Sequence, residues 1–212
     1  MPVVTVSREF ASGGGEIAQR VAEMLDALLL DRQLIYEVAL RLGLPEDVVS
    51  EHDERGETMI SRLVNALRVS YPDASAPPDL IEPPGDVFDL SAKTYAQVTE
   101  QVIQEAARTG NAVIVGRGSQ FVLRNYPNAL HVHVYAPFDS RVQAVVTEQS
   151  VSRSEAERIV RDFDGGRARY ARHFYHADWE SPQNYHLMLD ASALDRELAA
   201  GMICSAAKSL SQ

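Results

Sequence analysis

Residues 3–35 read VVTVSREFASGGGEIAQRVAEMLDALLLDRQLI, and the fold turns on them. Val3, Val4 and Val6 form a short apolar run that predicts a buried strand. SREFASGGG follows as a loop. Ile17, Val21, Met24, Leu25 and Leu28 then recur at helical spacing. Leu28-Leu29-Leu30 ends that stripe and predicts a second short strand, closed by Asp31. A strand, a glycine-rich loop and an amphipathic helix in this order make a phosphate cradle. The amides of Gly13, Gly14 and Gly15 can converge on an anion, and the helix N-terminus adds positive potential. A plain strand-to-helix turn loosened by three glycines is the alternative reading of the same letters.

The remaining chain continues the alternation. Gln33–Leu42 reads as a helix stopped by Gly43, and Pro45 opens another. Ile60, Leu63, Val64 and Leu67 stripe a further helix, and Tyr95 to Ala106 another, stopped by Gly110. AVIVG (112–116) and LHVHVY (130–135) are strands, the first with no polar alternation, as in a parallel sheet covered on both faces. Ser152 and Glu155 form a capping box that opens a helix. LMLD (187–190) is a last strand, and Leu194, Leu198 and Met202 stripe a terminal helix. Strands alternating with helices predict an α/β fold, a three-layer α/β/α sandwich on a mainly parallel sheet.

Composition narrows the function. The chain has 212 residues, and 20 Lys+Arg against 30 Asp+Glu leave a formal charge of −10. A protein built for nucleic-acid polymers carries a basic face, so such partners are disfavoured. Cys204 is the single cysteine, which excludes an internal disulfide. No apolar run approaches roughly 18–20 residues, so no membrane partner is expected. The N-terminus has no basic stretch followed by an apolar one, and a cytoplasmic protein is the expectation. The excess acid is concentrated: Pro45 to Tyr95 holds 11 acidic and 4 basic residues, 11 − 4 giving a net −7. The same segment carries Pro72, Pro77, Pro78, Pro83 and Pro84, so residues 72–90 read as a long loop.

Three stretches resemble the cytidylate kinase-like family, distant P-loop relatives of the nucleoside monophosphate kinases. Ser7 to Ala18 and Asp31 to Ile35 match its S-R-E-[FY]-G-S-G-G-x-x-I-A and D-R-x-L-I patterns. NAVIVGRGSQFVLRNYPNALHVHVYAP (111–137) carries its V-G-R-G after a strand. Asp164, Arg167, Tyr170, Tyr175, Asp178-Trp179 and Tyr185 follow in the expected order. The resemblance implies a single P-loop kinase-like domain over residues 1–212, with an acceptor-side helical insert at about 33–95 and a helical lid at about 152–180. It implies a small-molecule phosphotransferase using ATP and Mg²⁺, with a nucleoside monophosphate such as CMP, or another small phosphorylated substrate, as acceptor. Ser12, Gly13, Gly14, Gly15 and Glu16 would then hold the cofactor. Asp31, Arg32 and Arg117 would serve the acceptor, and Arg8, Arg117 and Arg167 would be the catalytic arginines.

The chain departs from a Walker loop, G-x-x-x-x-G-K-[ST]. Arg8 stands at its first glycine, Gly14 where lysine belongs and Gly15 where the magnesium-binding hydroxyl belongs. Val115 stands where cytidylate kinases have an Asp. Phosphoryl transfer depends on positioned cations and metal. A non-catalytic nucleotide-binding or regulatory module is therefore the competing expectation. Arg117 has a second reading as an ion-pair partner of Glu9 or Asp31, Asp31 as a helix cap, and Arg167 as part of a solvated face. His131 and His133 alternate on one strand face and read as packed side chains rather than a metal pair. Gly165-Gly166 reads as a hinge or a break in the lid helix.

Overall fold

The computed structural model describes residues 2–31, 99–100, 102–104, 106–108 and 110–210. The predicted insert helices, the proline loop 72–90 and Arg32 lie outside them. The elements are β1 (Val3–Arg8), α1 (Gly14–Leu25), β2 (Leu28–Leu30), β3 (Ala112–Val115), α2 (Ser119–Val122), β4 (Ala129–Tyr135), α3 (Phe138–Gln149), α4 (Arg153–Tyr175), β5 (Leu187–Asp190) and α5 (Arg196–Leu210). Residues 99–100, 102–104 and 106–108 are helical as well. Gly110 ends that stretch with φ +72°, its amide donating to Ala106 and Ala107.

All strand pairings are parallel, in the order β2-β3-β1-β4-β5. β1 is buried along its whole length, with Val6 beside both Val115 and Val132. Its two faces feed two cores. Val4 and Val6 join Ile17, Val21, Val132, Val134 and Ile203 under α1 and α5. Val3 joins Ile103, Ile114, Leu123 and Ala129 under the helical residues around 103 and α2. A third cluster, centred on Phe10, Val142, Val160 and Phe163, fastens α3 to α4. The molecule is thus a three-layer α/β/α sandwich.

Two helices differ from the sequence reading. The terminal helix does not bury the Leu198/Met202 stripe: these side chains are 52% and 42% exposed. Ala199, Ala200, Ile203, Cys204 and Ala207 face inward instead. The alanines let α5 lie close on α1, and that proximity outweighs the larger apolar residues on the other side. α4 also runs unbroken through Gly165-Gly166. Its N-cap is Ser152, which accepts from the Glu155 amide as the capping box requires.

Thr5 and Ser7 of β1 belong to a buried polar layer. Thr5 Oγ1 shares a 2.8 Å hydrogen bond with His131 Nδ1. Ser7 Oγ accepts from the Trp179 indole at 2.8 Å and lies 3.3 Å from His133 Nδ1. The Tyr185 hydroxyl donates to Trp179 O at 2.7 Å and lies 3.2 Å from Ser7 Oγ. Burial holds both histidines down at about 4, with the nearby His186 adding to the effect on His131. At His133, Arg167 and Arg141 add to it and Asp164 opposes it.

A pH dependence follows from these depressed values. Between pH 6.5 and about 4 the unfolded chain binds protons that the folded histidines refuse. Stability should be unaffected by them above 6.5 and fall as pH drops through that window, by at most about 1.4 kcal/mol per pH unit for each histidine. Denaturant titrations at stepped pH should show a shallower slope for a His131→Gln/His133→Gln variant than for the parent. Equal slopes would place the histidines elsewhere than in this buried layer.

Candidate phosphate-binding site

The parallel sheet brings the loop after β1, the turn after β3 and the starts of α3 and α5 to one edge. The strand order reverses at β1, and ligands of open α/β sheets bind outside such a switch point. The Glu9 amide continues the ladder to Val134 O at 3.0 Å. Ser12 then closes the loop: its amide reaches Glu9 O at 3.4 Å, and its hydroxyl lies 2.9 Å from Glu9 O and 3.3 Å from Val134 O. Ser12 thus shapes the loop with the group the sequence reading assigned to a ligand.

Gly13, at φ +80°, turns the chain into α1. The first helical bond runs from the Ile17 amide to Gly13 O at 3.1 Å. No side chain caps this helix. Among the described residues, nothing accepts from the amides of Gly13, Gly14, Gly15 or Glu16. These are the orphan donors of a helix start, and here they are left open.

Gly14 explains the absent lysine. A Cβ there would stand 2.5 Å from Arg8 Cβ and 3.1 Å from Val134 Cβ. Arg8, the last residue of β1, fills the space that a side chain at 14 would need. Its guanidinium ends against Gly116 in the next turn, where any Cβ would overlap it. Arginine at the first loop position and glycine at the lysine position are therefore one steric exchange. Among the described residues, nothing lies within 4 Å of the place a Cβ on Gly15 would take.

The turn after β3 is tightly specified. Gly116, Arg117 and Gly118 have φ of +72°, +59° and +67°. Glycine tolerates this region, whereas Arg117 is strained there by roughly 1–2 kcal/mol. Strain of this kind collects at functional sites. A Cβ on Gly118 would enter the Tyr175 ring, which stacks on Phe121 with centroids 5.0 Å apart. Arg117 is buried. Asp31 follows β2 on the same sheet edge.

A charged cluster fastens α4 to the loop. Asp164 accepts from the Phe10 amide at 2.8 Å, from Arg167 at 2.9 Å and from Arg141 at 2.5 Å. Arg141 also lies 3.1 Å from Glu9 and donates to Ala136 O at 2.9 Å. Glu9 accepts from the Ala136 amide at 3.0 Å. Burial pushes the Glu9 carboxyl above its usual range, against the pull of that amide and Arg141. Arg167 is buried beside Asp164, not on a solvated face.

Arg141 and Arg196 were not singled out from sequence. Both line a cavity of about 170 Å³ with Ala11, Ser12, Gly13 and Ser192. Arg196 is the first residue of α5 and pairs with Glu16. The only sequence signal is their position just after a strand, at the start of a helix. Among the described residues no group of three or more His, Cys, Asp or Glu could hold a metal ion. No described helix is long and apolar enough to cross a membrane.

Comparison with known proteins agrees with this architecture. The model of the cytidylate kinase-like family matches residues 3–193. No curated protein matches the chain. An uncharacterized protein from Eubacterium ventriosum superposes with a TM-score of 0.69 at 18% identity, over 99% of each chain. Shikimate kinase from Acinetobacter baumannii, solved in complex with shikimate, gives 0.51 at 14% identity over 99% of this chain and 94% of its own. Shikimate kinase from Bacteroides thetaiotaomicron gives 0.51 at 13%, over 100% and 99%. At such identities the likeness is one of fold.

The Arg8–Gly14 exchange is testable by a double-mutant cycle. Gly14→Ala should destabilise the fold by about 1–3 kcal/mol through overpacking. Arg8→Gly removes the opposing Cβ. In that background the same Gly14→Ala change should cost less, with a coupling in the 0.5–3 kcal/mol range of contacting residues. Additive effects in urea titrations would show that the two positions do not compete for space.

Proposed function

The chain belongs to the cytidylate kinase-like family, and we propose that it is a small-molecule phosphotransferase that takes the terminal phosphoryl group of ATP to a small acceptor. A nucleoside monophosphate such as CMP is the acceptor class proposed first. The observation that carries the reading is the open set of amides at Gly13, Gly14, Gly15 and Glu16. They stand at the start of α1, next to a cavity lined by two arginines.

The residues divide the work as follows. The loop amides bind phosphate oxygens without the reorganisation that flexible side chains need. The cavity beside Gly13, walled by the starts of α3 and α5, takes the nucleoside part. Arg8 lies between the glycine loop and the turn at 116–118, and Arg117 sits in that turn. These two cations neutralise the transferring group and its acceptor. Arg167 reaches the same edge from α4, the lid of this reading. Asp31 and Arg32 are assigned to the acceptor, with Arg32 and the insert at 33–95 outside the described residues. A bound magnesium would supply positive charge to offset that of the phosphates. The Walker hydroxyl is replaced by Gly15 and Ser12 is engaged in the loop, so the described residues fit the phosphates better than they fit the metal. Mg²⁺ often retains waters and substrate phosphates as most of its ligands. That same gap favours a second reading, a module that binds nucleotide without transfer.

Gly15→Asp separates these outcomes from a mere folding role. The position has room, and a carboxylate in the first helical turn is favourable to the helix by about 0.3–1 kcal/mol. The variant should melt no lower than the parent. It should bind ATP about 10- to 150-fold more weakly, the span of roughly 1.5–3 kcal/mol for a charged hydrogen bond. Calorimetry gives the affinity. Incubation with ATP, Mg²⁺ and a panel of nucleoside monophosphates should yield diphosphates with the parent protein. ATP binding without any diphosphate would exclude nucleoside monophosphates as the acceptor and favour the binding module, and no ATP binding would overturn both.

A further inference from the structure

Glu16 poses a problem for any polyanion at this loop. It is the third residue of α1, and its own amide belongs to the cradle. The structure answers it from 180 positions away, with Arg196 of α5 paired to the Glu16 carboxylate. The Arg196 Nε also lies 3.9 Å from where a Cβ on Gly13 would stand, and its side chain lines the adjoining cavity.

Helix stability does not account for an arginine there. A cation in the first helical turn opposes the helix dipole. α5 already has its cap, since the Leu198 amide donates to Asp195 Oδ1 at 2.7 Å. The ion pair itself is weakly held. Arg196 and Glu16 are 67% and 57% exposed, and such surface pairs contribute little. The start of α5 is nevertheless held against α1 by buried packing, with Ala199, Ala200 and Ile203 in one core cluster with Ile17, Ala18 and Val21. Opening the Glu16 contact therefore leaves Arg196 over the loop.

The geometry points to Arg196 as the mobile cation of the phosphate cradle, parked on Glu16 until a polyphosphate arrives. The ligand class is the polyphosphate chain of a nucleoside triphosphate. On binding, the guanidinium leaves the carboxylate for a phosphate oxygen beside Gly13, where its planar fork suits bidentate contact. Glu16 is then an internal competitor that the ligand displaces. This assignment rests on the phosphate reading of the glycine loop.

The test measures affinity for inorganic tripolyphosphate and for ATP by calorimetry, without metal, in the full-length protein and in Arg196→Ala, Arg196→Lys and Glu16→Gln. Arg196→Ala should weaken tripolyphosphate by about tenfold or more, as expected for loss of a charge-assisted contact. Arg196→Lys should recover part of that loss. Glu16→Gln should tighten binding severalfold, because the competitor is gone. Melting temperatures should move little in all three. Parent-like affinity in Arg196→Ala overturns the assignment while leaving the loop reading intact. Loss in Glu16→Gln equal to that in Arg196→Ala also overturns it, since the pair would then act as a fixed structural unit. A parent protein that binds neither probe overturns the phosphate reading, and this assignment with it.

Discussion

Everything at the candidate site depends on β1 lying between β3 and β4 with all strands parallel. In such a sheet each strand ends at the same edge, so the helix after each strand begins there. α1, α2, α3 and α5 all start at that edge and aim their positive dipole ends at it. Topology therefore makes one side of the molecule attractive to anions before any side chain is chosen. Side chains then select which helix start stays open. α5 is capped by Asp195, whereas α1 has no cap and begins on glycine. Among the described residues α3 has no side-chain cap either, and α1 is the open start that begins on the glycine loop.

Holding such an edge together in a protein of net charge −10 takes internal pairing. Glu9, Arg141, Asp164 and Arg167 form a nearly buried chain of contacts from the loop to α4. Removing one partner of a buried pair strands the other charge, at a typical cost of 3–5 kcal/mol. The cluster therefore fixes where Phe10 leaves β1 and how α4 lies on the loop. Beneath it, Ser7, Trp179, Tyr185 and His133 form an uncharged polar layer. The two layers give the loop a rigid floor, which an electrostatic site needs if its donors are to be preorganised.

Much of this was legible because it is local. The valine runs, the glycine loop, the capping box at Ser152 and the stop at Gly110 are each written in a few neighbouring residues. The resemblance to the kinase-like family rests on the same kind of local pattern. What was not legible depends on partners far apart in sequence. Arg196 meets Glu16 across 180 positions, and Arg141 meets Asp164 across two helices. Nothing near Arg196 marks it as more than a surface residue. The buried face of α5 was misjudged because size suggested Leu198 and Met202, whereas close helix packing selected alanine. Gly165-Gly166 looked like a break, but the anchoring of Phe163 and Asp164 on the loop side keeps α4 continuous.

The central claim is that main-chain donors of the glycine loop hold phosphate without a Walker lysine. Its most direct measurement is the amide spectrum of ¹⁵N-labelled protein during titration with tripolyphosphate. The account predicts saturable shifts centred on the amides of Gly13, Gly14, Gly15 and Glu16, with the buried strand amides of β1 unmoved. Saturable binding whose shifts lie away from this loop, or no shift at millimolar ligand, would contradict it.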